Sequence, residues 1–373
     1  MAALLERHPD DGNQAHLWYS MAMLEDRLGN HAASATYCQQ ACDLAERCGA
    51  AGIAALSHGL RVWLHIDRNE AGMASAHVEP SLQWARRIED GNERGPIEAR
   101  LLTLSSIVLI RQSRYDEART TLLDVLARGE ALGSPRVQLG ALDNLAVLDA
   151  QQGRARDVVQ WGERMLALAQ ATGNRPYTVR AQWRLIRAFT LLKDDAAVLH
   201  WCERALPLAR ELGDRSWEAN TLRALANLRL RQSDIAAALP LFRQAMAIFQ
   251  AANQPMPFWE CTALVAKCHV ALSDSAAALA EVDAVLAALL GGDVSHLLGS
   301  QTVGMRWDSF EVLEALGDAR AAALLEQLHA DVQAETLQLA APADRDRLMQ
   351  DHPTFGAVVA AYRRKQSAPC AAS

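Results

Sequence analysis

Leu208-Ala209-Arg210-Glu211-Leu212-Gly213-Asp214 closes a helix-length stretch. The same kind of phrase closes Leu44-Ala45-Glu46-Arg47-Cys48-Gly49 and recurs at 84–91, 126–133 and 166–173, and a sixth copy ends at Asn253. Successive ends lie 42, 42, 40, 40 and 40 residues apart. A fixed period of that size is the mark of stacked helical hairpins. Such units bury their apolar faces only against neighbours, which predicts an all-α solenoid with a long concave surface. The work implied is binding, and the partner is not encoded in the repeat.

A second marker divides each interval: Leu28-Gly29-Asn30, Gln112-Ser113-Arg114, Gln152-Gly153-Arg154, Lys193-Asp194, Ser233-Asp234, Ser273-Asp274 and Leu316-Gly317-Asp318. Small or turn-forming residues there end one helix and cap the next. About eight pairs follow: 13–50, 52–91, 96–133, 135–173, 176–214, 216–253, 257–291 and 300–338. In the sixth, Leu222, Leu225, Ala226 and Leu230 share one helix face. Ala238, Leu241, Phe242, Ala245 and Phe249 share the other. Pro96, Pro135 and Pro176 mark the starts of units, where a missing N–H costs little. Pro207 and Pro240 fall within second helices and predict a kink or a shifted start. The second pair is poorly phased, lacks clear small packing residues, and is interrupted by Pro80. The Gly/Ser/His stretch at 291–300 predicts a looser array there. Residues 1–12 read as an extension. Residues 339–373 read as short helices opened by Pro342 and Pro353, with a disordered tail after Arg364.

Composition narrows the function. Half of the 373 residues are apolar but only 5% are aromatic, which suits closely packed Ala- and Leu-rich helices. The net charge of -7 argues against general nucleic-acid binding, which depends on neutralising phosphates. Lys193, Lys267 and Lys365 are the only lysines, an arginine bias that goes with GC-rich bacterial genomes. Seven cysteines, an odd number, predict no disulfide framework and a reducing cytoplasm. No signal peptide is visible. The most apolar run, 101–110, is closed by Arg100 and Arg111 and is about half of a membrane span.

Units four to seven resemble the tetratricopeptide repeat, particularly the longer variant of MalT-like bacterial regulators. The phrases that carry this are Leu142-Asp143-Asn144-Leu145-Ala146 with Gly153, and Leu222-Arg223-Ala224-Leu225-Ala226-Asn227 with Asp234 and Ala238. The resemblance spans 13–338 and implies a right-handed solenoid. Ser233 and Ser273 stand where that family often has Gly. The segment Pro342-Ala343-Asp344-Arg345-Asp346-Arg347-Leu348-Met349, continuing to Tyr362, faintly resembles the closing segment of bacterial multidomain ATPase/cyclase regulators. That would make this chain the sensor end of a larger regulator.

No phosphate loop, H-E-x-x-H helix or nucleophile elbow occurs, so the chain reads as non-enzymatic with no cofactor. Cys38 and Cys42 share a helix face near His31 and Cys48, and Cys261, Cys268 and His269 form a looser set. Thiolate and imidazole suit zinc, but Cys also packs as a small apolar residue, and the expectation is metal-free, structural cysteines. His58 and His65 form one i, i+7 pair, read as core or surface rather than as ligands.

The resemblance implies that first helices line the groove. Aligning units on their markers places Arg100, Thr103, Arg111, Asp143 and Gln151 there from units three and four. Unit five adds Arg180, Trp183 and Arg187; unit six adds Asn220, Arg223, Asn227 and Arg231; unit seven adds Glu260 and Lys267. Guanidinium forks bind carboxylates, Asn holds peptide backbone, and Trp183 offers a flat apolar contact. Internal pairing with Asp and Glu is the competing use of these cations. The leading expectation is a scaffold for an acidic peptide or protein surface in signalling or transcription. The alternative is an effector-sensing array.

Overall fold

The computed structural model describes residues 10–68, 70–291, 299–337 and 353–367, with Arg345 and Met349. These fold into 17 helices and, among the described residues, no strand. In sequence they run as eight successive helix pairs. The first four are α1 (Asp11–Arg27) with α2 (His31–Cys48), α3 (Ala51–Asp67) with α4 (Ala71–Arg86), α5 (Gly91–Arg111) with α6 (Tyr115–Ala131), and α7 (Pro135–Gln151) with α8 (Ala155–Ala171). Then come α9 (Arg175–Leu191) with α10 (Asp195–Glu211), α11 (Arg215–Arg231) with α12 (Ile235–Ala251), α13 (Pro255–Ala271) with α14 (Ser275–Gly291), and α15 (Gly299–Ala315) with α16 (Arg320–Leu337). A final helix, α17 (Pro353–Ser367), stands alone. Two compact units divide the chain, residues 1–148 and 149–373.

The local cause of this regularity is a three-residue connector. Ser113, Gly133, Gly153, Gly173, Lys193, Gly213, Ser233, Asn253 and Ser273 all have positive φ, one every twentieth residue. Most helices between them are 17 residues long, about 25 Å. Gly213 shows the geometry. Its N–H donates to the Arg210 carbonyl and the Asp214 N–H to the Ala209 carbonyl, so two orphan carbonyls of α10 are satisfied. The Asp214 side chain then accepts from Trp217 N at 3.2 Å and caps α11. Asp194, Asp234 and Asp274 cap α10, α12 and α14 in the same way. One residue thus ends a helix and starts the next.

Four of the left-handed positions are Ser or Lys, residues with a Cβ. That conformation costs such a residue about 1–2 kcal/mol, partly offset by glycine's extra chain entropy of about 0.5–1 kcal/mol. Ser233→Gly is expected to stabilise by about 0.5–1 kcal/mol. Urea melts of the two proteins check this, and a lower midpoint in the variant would contradict it.

The connectors also overrule the prolines. Pro207 and Pro240 lie inside α10 and α12, which still begin at Asp195 and Ile235, so the expected shift of start does not occur. Both prolines are exposed, so water can satisfy the carbonyls they strand. Pro80 likewise lies within α4. Pro96 does not open its unit: Asp90 caps α5 through Asn92 N at 2.8 Å, five residues of helix precede the proline, and α5 reaches 21 residues. Small residues are present in the second hairpin after all. Ala54, Ala55, Ala74 and Ala85 are fully buried, and a Cβ on Gly59 would lie 2.6 Å from Leu101 Cδ2. The sequence period is weak there because α4 has 16 residues and α5 21, not because packing is loose.

Each unit packs by one rule. Successive helices touch, and the first helices of adjacent hairpins touch as well: α1 with α3 and α3 with α5 in the first unit, α9 with α11, α11 with α13 and α13 with α15 in the second. First helices therefore form a shared layer. The side chains between layers alternate small and large. Ala226, Ala238 and Ala245 are fully buried beside Phe242 and Phe249. At the end, Phe355, Val358 and Ala361 of α17 cover the apolar seam of α15 and α16. α17 opens near Pro353 as expected but continues past Arg364 to Ser367. Residues 1–9, Pro342 and most of the 291–300 stretch lie outside the described residues.

His329 of α16 stacks on Tyr362 of α17, ring centroids 3.7 Å apart and planes 4° from parallel. Burial, then the charge of Arg363, lowers its pKa from 6.5. A histidine lowered in the folded state favours folding fully above its unfolded pKa and loses that contribution as pH falls below about 6.5. Acidification to about pH 5 is expected to loosen α17, read as faster proteolysis after Arg363 or Arg364, and His329→Gln should blunt the change.

Candidate functional site

Arg180, Trp183 and Arg187 on α9 are three and four residues apart, and so share a face. Asn220, Arg223, Asn227 and Arg231 do the same on α11. Contact between α9 and α11 brings the two sets together. Trp183, Ile186, Arg187, Thr190, Leu191, Arg223, Ala224, Asn227, Arg231 and Leu264 line one cavity of about 260 Å³. Five of its lining residues were expected groove residues, all in the second unit. Arg100 and Arg111 belong to the first unit, where both are exposed on α5. Thr103 bonds the Ala99 carbonyl of its own helix, Asp143 is buried, and Gln151 is exposed.

The cations differ sharply in what they face. Arg223 pairs with Glu260 of α13 and also donates to Asn220 Oδ1 at 3.3 Å. Arg231 donates to Asp195 Oδ1 at 2.5 Å. Lys267 holds Asp308 at 3.0 Å and Glu311 at 2.7 Å. These pairs join residues 36 to 44 apart in sequence, close to one repeat, so adjacent hairpins supply counter-charges to one another. Arg180 lies over the Tyr177 ring at 5.0 Å and the Trp217 ring at 5.8 Å. Asn220 also spends its amide on the Ser216 carbonyl at 2.9 Å. Trp183 is 7% exposed and tilts against Trp217, so most of its surface is spent inside the protein.

Arg187 is the exception. Among the described residues it has no ion pair and no hydrogen bond, and neither does Asn227, which lines the same cavity. Arg187 is an exposed residue on the cavity lining. Desolvation, then the charges of Arg184 and Arg223, lowers its pKa to about 10, still charged at neutral pH. A guanidinium without a counter-charge of its own can pair with an anionic group. A larger cavity of about 400 Å³, lined by Leu286, Leu289, Thr302, Arg306 and Arg320 among others, lacks this feature: Arg306 is tied to Asp331, and Arg320 to Asp283 and Asp318.

The six described cysteines are unpaired with one another. Burial pushes the thiols of Cys38, Cys202 and Cys261 up to about 12 and those of Cys42 and Cys268 to about 11, so without a bound cation burial favours the neutral thiol at each. Cys38 donates to the Ser57 carbonyl at 3.3 Å, and His31 sits between Asp26 and Asp67. The sets suggested by sequence proximity do not assemble. A different one does: Cys42, Glu46 and His58. No signal along the chain marks it, because it depends on the α2–α3 crossing.

A family model for the tetratricopeptide repeat matches residues 177–251, from within α9 to the end of α12. No curated protein matches the chain. A Rap protein complexed with competence and sporulation factor is similar over 95% of this chain and 99% of its own, with TM-score 0.58 at 10% identity. NprR in complex with its cognate peptide NprX is similar over 95% and 99%, with TM-score 0.51 at 11% identity. Aspartyl phosphate phosphatase F from Bacillus subtilis is similar over 77% and 73%, with TM-score 0.58 at 12% identity. At such identities the likeness is one of fold. The chain is an all-α helical repeat in which residues 177–251 match the tetratricopeptide repeat, and most of the cavity lining falls within that stretch. Among the described residues, no helix is long and apolar enough to cross a membrane.

Proposed function

We propose that this chain is a non-catalytic interaction module of a bacterial, cytoplasmic regulator, and that its second unit binds an acidic peptide segment over Trp183, Arg187, Arg223, Asn227 and Arg231. The observation that carries the reading is Arg187, an exposed cation with no internal counter-charge on the lining of a cavity. A peptide carboxylate would supply the missing charge through a bidentate pair, and Asn227 would hold the adjoining backbone. Two structural neighbours bind a factor or a cognate peptide, which supports a peptide as the class of ligand. The repeat spacing fits MalT-like regulators. The effector-sensing alternative is less well served, since about 260 Å³ is below the roughly 300–1,000 Å³ of small-molecule pockets but ample for one side chain.

Selection of a random displayed peptide library on the purified chain tests this. Asp- and Glu-rich sequences should be enriched, and added salt should elute them, because exposed charges are screened beyond about 10 Å at 0.1 M. Enrichment of neutral or basic peptides instead would reject the acidic-groove reading.

A further inference from the structure

Cys42 and Glu46 are four residues apart on α2, so their side chains leave one face, and His58 of α3 meets them there. The His58 Nε2 lies 3.5 Å from Cys42 Sγ and 2.8 Å from Glu46 Oε1; Sγ and Oε1 are 4.0 Å apart. All three donor atoms fall within 4.8 Å of one another. A tetrahedral zinc with Zn–S of about 2.3 Å and Zn–N of about 2.0 Å sets its sulfur and nitrogen about 3.5 Å apart. The remaining two distances each need an adjustment of about half an ångström, within reach of the flexible Glu46.

We propose that Cys42, Glu46 and His58 form a binding site for a zinc-class divalent cation. Thiolate, imidazole and carboxylate together select a borderline-soft metal over magnesium or calcium, which want oxygen cages. Cys42 and His58 are 2% and 7% exposed, while Glu46 opens to solvent. Two ligands are therefore preformed in the core, and the third gates the site from water. That leaves the fourth position for water or an outside ligand. A bound zinc deprotonates the thiol it ligates, and the proton leaves to solvent. The Trp84 indole N–H donates to Glu46 Oε1 at 3.3 Å and steadies the carboxylate. His58 Nδ1 is buried with no partner, so the outer hydrogen bond that usually braces a zinc histidine is missing. Loss of such a brace weakens zinc by about 10- to 100-fold, which makes this an exchangeable site and not a structural one.

The test is competition of the purified full chain against a chromophoric zinc chelator, together with cobalt substitution. The expected result is one equivalent of zinc, no competition by magnesium, and a sulfur-to-cobalt charge-transfer band. Cys42→Ser and His58→Gln should each weaken zinc by at least about 10-fold and Cys42→Ser should abolish the band, whereas Cys38→Ser should leave both intact. Glu46→Gln changes an exposed group and keeps the fold, so it reads the site even if a core variant unfolds. No stoichiometric zinc in the wild type, or zinc affinity unchanged in Glu46→Gln and Cys42→Ser proteins of normal helicity, would overturn the proposal.

Discussion

Phe242→Ala is expected to destabilise the second unit by about 3–5 kcal/mol, the range for a fully buried aromatic side chain cut to a methyl. Phe242 has no exposed surface and sits where α11, α12 and α13 meet, against Leu222, Ala226, Phe249, Cys261 and Val265. Three helices of two hairpins depend on it, and their alanines are too small to collapse into the space. Repeat arrays are stabilised by nearest-neighbour contacts, so the damage should stay local. Amide exchange should accelerate in α11–α13 and be unchanged in α1–α4, and urea melts should show an early transition. A loss under about 1 kcal/mol would mean that these hairpins are not held by this seam.

Arg187→Glu is expected to abolish binding of a selected acidic peptide without harming the fold. Truncating one partner of a close charge pair costs about 2–5 kcal/mol, roughly 30-fold or more in Kd, and reversal adds repulsion. The same change should leave melting unchanged or raise it. Arg187 has no internal partner to lose, and a glutamate there would face Arg184 and Arg223. Arg223→Glu is not equivalent, because it would set a second carboxylate against Glu260. Arg231→Glu would likewise strand Asp195. If Arg187→Glu unfolds the protein, or keeps full affinity, the cavity is not the binding site.

The fold was legible because the turn chemistry repeats. Gly, Ser, Asn or Lys in the left-handed position followed by Asp, Asn, Arg, Ser or Gln is a local signal, and local signals survive in one dimension. Two sets of turn markers about 40 residues apart resolve into one connector every 20 residues. Proline positions were misread where a capping Asp, not the ring, fixes the helix start, as at Asp90. Five cavity residues were readable from helical spacing, but their free or occupied state was not. Arg223 and Arg231 are neutralised by carboxylates one hairpin away, on α13 and α10, and nothing near them in sequence distinguishes them from Arg187. The Cys42, Glu46 and His58 cluster was hidden for the same reason: the imidazole arrives from the next helix, and sequence proximity pointed instead to His31 and Cys48.

The most direct measurement is site mapping of a selected acidic peptide that carries a photo-crosslinker beside its carboxylate. Binding at the proposed cavity predicts adducts on α9 and α11, concentrated between residues 183 and 190 and between 223 and 231, and their loss in Arg187→Glu. Adducts confined to second helices, or to the first unit, or persisting unchanged in the variant, would contradict the account.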